Sequence, residues 1–158
     1  MGVILVGMAD LKAAKHPETL TTLGLGSCVG ITLFDSRTKT GGLAHIMLPD
    51  STSFGGQNRA KFADTAIPDL ISLMVSLGAI RQTLVAKLAG GAHMFGGSQS
   101  DVLNIGKRNA AACAAILAHL RIPVLANDTG GSYGRTIELI TDSGALKIKT
   151  VGHGEKFI

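Results

Sequence analysis

A cysteine that opens a strand behind a glycine-containing loop is a candidate nucleophile. Here Leu23-Gly24-Leu25-Gly26-Ser27 runs directly into Cys28–Phe34, an alternating stretch that predicts a strand ended by Asp35-Ser36. Such a position holds the backbone stiffly while leaving the thiol exposed. The N–H groups of Gly26, Ser27 and Cys28 can then point into one concavity, suited to a developing tetrahedral oxyanion. A thiol with an ordinary pKa of about 8.5 needs a base or a positive neighbour before it attacks anything. His45 is the leading candidate: it lies seventeen residues on, in the next predicted strand, where a hairpin would bring the two side chains together. Taken singly, both have bland readings. A free cysteine is commonly a small buried apolar residue, and a histidine on an apolar strand is commonly a satisfied core residue. Their combination with the loop is what points to cysteine-dependent acyl chemistry.

The other reactive side chains offer less. Cys113 falls inside the alanine-rich Ala110–Ala118 and reads as a core residue on a helix. His16, His119 and His153 read as surface or helix-end residues, and His93, after Gly90-Gly91, as a packing or surface residue that could face a pocket. No carboxylate pair has a spacing that demands acid–base work, and Gly24-Leu25-Gly26 does not complete a dinucleotide fingerprint. Two cysteines without zinc-type spacing suggest neither a metal nor a disulfide framework. No metal and no cofactor are expected.

The elements that must position this constellation follow from apolar periodicity. Strands are expected at Val3–Val6 (buried), Thr19–Thr22, Cys28–Phe34, Gly42–Leu48, Leu84–Ala89 and Pro123–Ala126, with a hairpin of Thr136–Thr141 and Ala145–Thr150 across Asp142-Ser143-Gly144. Ile67, Leu70, Ile71, Met74 and Leu77 keep helical spacing and predict a helix from about Thr65 to Leu77, capped by Asp64 or Thr65, with Pro68 in its first turn. A second helix spans about Ile105–Leu120. Asp50–Asn58 reads as a loop. Together these predict an α+β layered sandwich of mixed β-sheet with two main outer helices.

At 158 residues the chain suits one domain over 1–158, and 46% apolar against 16% charged residues exclude disorder as its main state. Its apolar runs, Leu70–Ile80 and Ala110–Ala118, are shorter than the roughly 18 residues a membrane span needs. Met1–Asp10 lacks a basic leader, so a cytoplasmic protein without membrane insertion is expected. The net charge of +4 is scattered, and five Phe and one Tyr supply few stacking platforms, so nucleic acid is not expected as a partner.

Six blocks, in order along nearly the whole chain, together resemble the chemoreceptor glutamine deamidase family, CheD. They are Thr22–Val29 (TLGLGSCV), Ala44–Pro49 (AHIMLP), Phe62–Ala66 (FADTA), Gly90–Phe95 (GGAHMF), Asn104–Asn109 (NIGKRN) and Asp128–Arg135 (DTGGSYGR). The resemblance implies a catalytic Cys28, His45 and Thr22, and a fold similar to the catalytic domain of glutamine-deamidating toxins. It implies conversion of glutamine to glutamate on methyl-accepting chemotaxis proteins through a cysteine thioester, in bacterial or archaeal chemotaxis. It further implies hydrolysis of glutamyl methyl esters and a CheC-type phosphatase as regulatory partner. Gly96–Leu103 departs from the pattern as a longer polar loop; with Asp50–Asn58 it is a candidate rim of the site. Without the resemblance, Thr22 reads simply as a β-branched strand residue. Two other classes stay open: a non-catalytic module that docks on a CheC-type phosphatase or receptor, and a cysteine hydrolase acting on small molecules.

Overall fold

Two five-stranded sheets stack face to face in the computed structural model, which describes residues 2–94 and 104–158. The strands are β1 (Val3–Leu5), β2 (Asp10–Lys15), β3 (Thr19–Leu25), β4 (Val29–Asp35), β5 (Thr40–Ile46), β6 (Val85–Gly90), β7 (Val124–Thr129), β8 (Arg135–Leu139), β9 (Leu146–Thr150) and β10 (Gly154–Phe157). The first sheet has the order β1-β3-β8-β9-β10, with β1 parallel to β3 and its other pairs antiparallel. The second has the order β2-β5-β4-β6-β7, antiparallel except for the β6–β7 pair. Helices α1 (Ser51–Phe54), α2 (Ala63–Ser76) and α3 (Ile105–His119), with short 3-10 turns at Arg59–Lys61 and Arg81–Thr83, complete the described elements. The α+β layered sandwich with two long outer helices is therefore what the chain forms.

β4 shows why the layers stack this way. All seven of its residues are buried, and because successive side chains alternate between faces, both of its faces need cover. Val29, Ile31 and Leu33 join the cluster built with Ile67, Leu70 and Met74 of α2 and Cys113 and Leu117 of α3. The opposite face lies against the first sheet, whose Leu20, Leu25, Ile137, Leu139, Leu146 and Ile148 form the second cluster with Leu43 and Ala89. α2 packs on β2 and β5, and α3 on β4, β6 and β7, so both long helices cover the second sheet. Each fully buried Leu or Ile contributes about 1.5–3 kcal/mol, enough to fix the register of the strands between the two clusters.

Several expectations shift in detail. β2 and β10 are strands that apolar alternation does not announce. β1 is an edge strand with Val3 62% and Leu5 53% exposed, not a buried one. Asp50 caps α1 by accepting from Ser53 N at 2.6 Å, so part of the expected loop is helical. α2 starts behind Phe62 with no side-chain cap; Asp64 instead accepts from the backbone N and Oγ of Ser51, tying α1 to α2. The Gly96–Leu103 loop lies outside the described residues. Among the described residues no helix is long and apolar enough to cross a membrane.

Candidate active site

β5 places His45 opposite Gly30 of β4, and paired residues of an antiparallel ladder project to one face. That is the face turned to the first sheet, since a Cβ at Gly30 would lie 2.6 Å from Ile137 Cδ1 and 3.1 Å from Leu25 Cδ1. Cys28 stands immediately before β4, two residues from Gly30, and packs against the same inter-sheet cluster. Cys28 and His45 thus reach one side of one sheet, on neighbouring segments. Thr22 arrives from the opposite sheet: it lies on β3, just before a register irregularity spanning Thr22 and Leu25.

Hydrogen bonding around His45 fixes its tautomer. Thr22 Oγ1 donates its only proton to the Val6 carbonyl at 2.7 Å, and the same oxygen lies 2.7 Å from His45 Nδ1. A hydroxyl with its proton committed can only accept there, so Nδ1 must be the N–H of a neutral imidazole. Nε2 then carries the lone pair. It is buried and, among the described residues, has no hydrogen-bond partner. Burial holds the imidazole below its ordinary pKa, which keeps the free-base form that a general base requires. Thr22, the residue that strand propensity alone would leave as a filler, holds the His45 ring across the sheet interface.

The Cys28 loop is anchored by its carbonyls. Gly26 O accepts from Ala92 N at 2.9 Å, Cys28 O from Gly91 N at 2.8 Å, and Ser27 O from Asn109 Nδ2 at 3.0 Å. Among the described residues, no hydrogen bond uses the N–H groups of Gly26, Ser27 or Cys28 as donors to another residue. The carbonyls are turned into the protein, and the N–H groups of Gly26 and Ser27 have no acceptor among the described residues, which is the kind of donor an oxyanion site uses. The thiol itself differs from expectation. It is half-buried rather than exposed, and burial pushes its pKa up, opposed by its own backbone N–H. Sγ makes no hydrogen bond to His45 Nε2. Burial thus disfavours the charged form of both groups.

Glycines and polar residues of β6, α3 and β8 back the Cys28 loop. Gly90 has φ +109°, and a Cβ there would sit 2.3 Å from Cys28 O; a Cβ on Gly106 would sit 2.2 Å from Ala92 O. Backbone from β6 is thereby squeezed between the Cys28 loop and α3, a stack that no larger residue permits. Gly90 O accepts from Arg135 Nη1 at 3.2 Å, and Arg135, only 2% exposed, is paired with Asp128 at 3.1 Å. Asn109, fully buried on α3, also bonds the Met47 carbonyl at 2.9 Å. Sequence reasoning assigned neither residue; the one available signal was a polar residue on the apolar stripe of a helix.

The remaining candidates fall where expected. Cys113 is fully buried and its thiol is pushed up to about 12 by burial. His16, His119 and His153 are exposed, His153 lying against the Tyr133 ring. His93 lines a cavity of about 190 Å³ with Gly91, Asn104, Lys107 and Gly131 among its walls. Among the described residues no three His, Cys, Asp or Glu side chains group closely enough to hold a metal ion.

Comparison with known proteins gives a consistent picture. Residues 47–150 match the family model described as CheD chemotactic sensory transduction. The chain is 52% identical over 158 residues to a protein of Caldanaerobacter subterraneus subsp. tengcongensis named probable chemoreceptor glutamine deamidase CheD, covering 99% of this chain and 98% of that one. A protein of Halalkalibacterium halodurans named chemoreceptor glutamine deamidase CheD is 52% identical over 159 residues, again covering 99% and 98%. One from Lachnoclostridium phytofermentans, named as a probable member, is 53% identical over 158 residues, with the same coverage. The family model begins two positions beyond His45, whereas the full-length similarities extend across Thr22, Cys28 and His45.

Proposed function

The chain belongs to the CheD family, and from that membership we propose that it deamidates glutamine side chains of chemoreceptors, with Cys28 as nucleophile, His45 as base and Thr22 as its orienting partner. One observation carries the assignment of residues: His45 Nδ1 is tied to Thr22, leaving the Nε2 lone pair unpartnered on the face where Cys28 packs.

The chemistry follows from that arrangement. Nε2 takes the Cys28 proton as Sγ bonds to the side-chain amide carbon of glutamine, and the carbonyl π pair moves onto oxygen. The N–H groups of Gly26, Ser27 and Cys28 receive that oxyanion. The imidazolium returns its proton to the amide nitrogen, the C–N bond breaks, and ammonia leaves a thioester. Water, deprotonated by Nε2, adds to the thioester carbon; the C–S bond breaks, Sγ recovers the proton, and glutamate remains. A glutamyl methyl ester presents an easier acyl carbon to the same nucleophile, so ester hydrolysis belongs to the proposal. So do a cytoplasmic setting, a single domain over 1–158, and a CheC-type phosphatase as regulatory partner, the last on family resemblance alone.

Incubating the protein with a receptor cytoplasmic fragment and measuring ammonia tests the reading. Wild type should release ammonia, Cys28→Ala none, and free glutamine should not serve. Equal release from both proteins removes Cys28 as nucleophile; binding without release from either favours a docking module.

A further inference from the structure

We propose that Asn109 is a positioning residue whose single side-chain amide sets the separation of the Cys28 loop from the His45 strand. The β4–β5 ladder ends at the Val29–Ile46 pair. Beyond it the two segments part: Met47 N and Leu48 N both turn to Lys61 O, and Gly26–Cys28 leave strand geometry. Asn109 Nδ2 bridges this open end, with Ser27 O at 3.0 Å and Met47 O at 2.9 Å. Ser27 immediately precedes the nucleophile, and Met47 follows the base by two residues.

The chemistry of the bridge is selective. Two carbonyl oxygens cannot bond one another, and one NH₂ supplies two donors from one atom. The opposite amide orientation would set oxygen against both carbonyls, so the orientation is fixed by its partners. Among the described residues Asn109 Oδ1 is buried with no partner, a cost that a residue kept only for packing would not incur. Its neighbours on the inward stripe of α3 are Gly106, Cys113 and Leu117. Gly106 presses on Ala92 O, so the helix end that holds the amide is itself held against the Gly90–Ala92 backbone. A rigid support fits a group that sets a distance, because misplacing reacting atoms by about 1 Å can cost 10²-fold in rate.

This inference rests on the deamidase reading, and its test separates the two. The full chain carrying Asn109→Ala is compared with wild type and with Leu117→Ala, which loosens the same helix elsewhere, at a temperature where all remain folded. Asn109→Ala should lower kcat for ammonia release about 10–100-fold with KM within about twofold, and Leu117→Ala should keep kcat within about twofold. Iodoacetamide labelling of Cys28 at pH 7 should slow about threefold or more in Asn109→Ala, because Nε2 no longer stands where it can take the proton as Sγ attacks; plain loosening would expose the half-buried thiol and speed it. An unchanged kcat, an equal loss in Leu117→Ala, or unchanged or faster labelling overturns the proposal. If wild type releases no more ammonia than Cys28→Ala, the deamidase reading fails and labelling alone decides the bridge. Should Asn109→Ala not fold, Asn109→Ser, which keeps one donor, is judged by the same criteria.

Discussion

Replacing Thr22 with valine removes one oxygen and two functions. The methyl group that takes its place is nearly isosteric, so the cluster around β3 keeps its volume. Two contacts disappear, the 2.7 Å bond donated to Val6 O and the 2.7 Å bond accepted from His45 Nδ1. Both Thr22 and His45 are 1% exposed, so water cannot readily replace either partner. A buried group left unsatisfied costs about 1–3 kcal/mol. We therefore expect Thr22→Val to lose about 2–4 kcal/mol of stability, read as a fall in Tm of roughly 5–15 °C for a domain of this size. The catalytic loss has a separate origin. Without an acceptor at Nδ1, the imidazole is free to carry its proton on Nε2, the nitrogen that must receive the thiol proton. An aspartate at the corresponding place of a serine-protease triad is worth about 10⁴ in rate. A neutral hydroxyl holds the ring less strongly, so a fall of about 10² in kcat is expected, equivalent to about 2.7 kcal/mol, with KM little changed. Thr22→Ser keeps the oxygen and should stay within about fivefold of wild type. Ammonia release at a temperature where each variant is folded gives the rates, and ¹⁵N NMR of His45 gives the tautomer directly. Wild-type His45 protonated on Nε2, or a folded Thr22→Val with kcat within about threefold of wild type, refutes the reasoning.

In the folded protein iodoacetamide should label Cys28 about 10² times faster than Cys113, because Cys113 is fully buried with its thiol pushed up to about 12; comparable rates by mass spectrometry would contradict this. The Cys28 rate should keep rising through alkaline pH, as burial raises its pKa, whereas a plateau from about pH 5 would mark a preformed thiolate–imidazolium pair. Protonating His45 removes the base, and burial lowers its pKa below the ordinary 6.5; the acid limb of kcat/KM should therefore have its midpoint below pH 6.5, and a midpoint above it would place His45 in a charged pair. Burial pushes the Asp35 carboxyl up, but bonds from Ile80 N, Thr83 Oγ1, Thr38 Oγ1 and Arg37 N outweigh it and lower its pKa. Its stabilisation is then present above the unfolded value of about 3.9 and lost as pH falls through the lower folded value, so Asp35→Asn should cost about 2–3 kcal/mol at pH 7 and the difference in Tm should narrow in acid. Gly90→Ala would drive a Cβ into Cys28 O, 2.3 Å away; kcat should fall about tenfold or more with the far-ultraviolet circular dichroism retained.

Legibility in the sequence followed burial. α2 and α3 carry one apolar stripe each, β4, β5 and β6 lie between the two clusters, and the β8–β9 hairpin has one face on the inter-sheet cluster; their apolar spacing announces them to within about two residues at each end. β2 (DLKAAK) and β10 (GEKF) are sheet edges, and β10 is exposed throughout. They are strands because a neighbour offers a row of hydrogen-bond partners, and nothing in their own side chains records that. The site divides along the same line. Cys28 and His45 were legible as a loop cysteine and a histidine one hairpin away. Thr22 was visible only through the family resemblance, since its partner lies on the other sheet and strand spacing cannot report a cross-sheet bond. Asn109 and Arg135 were hidden more deeply, because what they hold is backbone. A carbonyl has no letter in the sequence.

Burial also works against separating charge at this site before substrate arrives. Separating charge between a half-buried thiol and a 1% exposed imidazole would cost several kcal/mol per ion before any substrate arrived. Among the described residues, Thr22 offers His45 a hydroxyl already committed to Val6 O, and Arg135, the buried cation bonded to Gly90 O, is neutralised by Asp128. The unused donors lie instead at Gly26 and Ser27, where the oxyanion would form. Stabilisation is therefore aimed at a charge that exists only once Sγ has bonded to carbon, and interactions made only at that point lower the barrier without stabilising the ground state. The half-buried thiol fits the same design, since a permanent thiolate would react with any passing electrophile. In the proposed mechanism, proton transfer concurrent with attack directs the thiol to an acyl carbon whose oxygen has reached the N–H groups beside it.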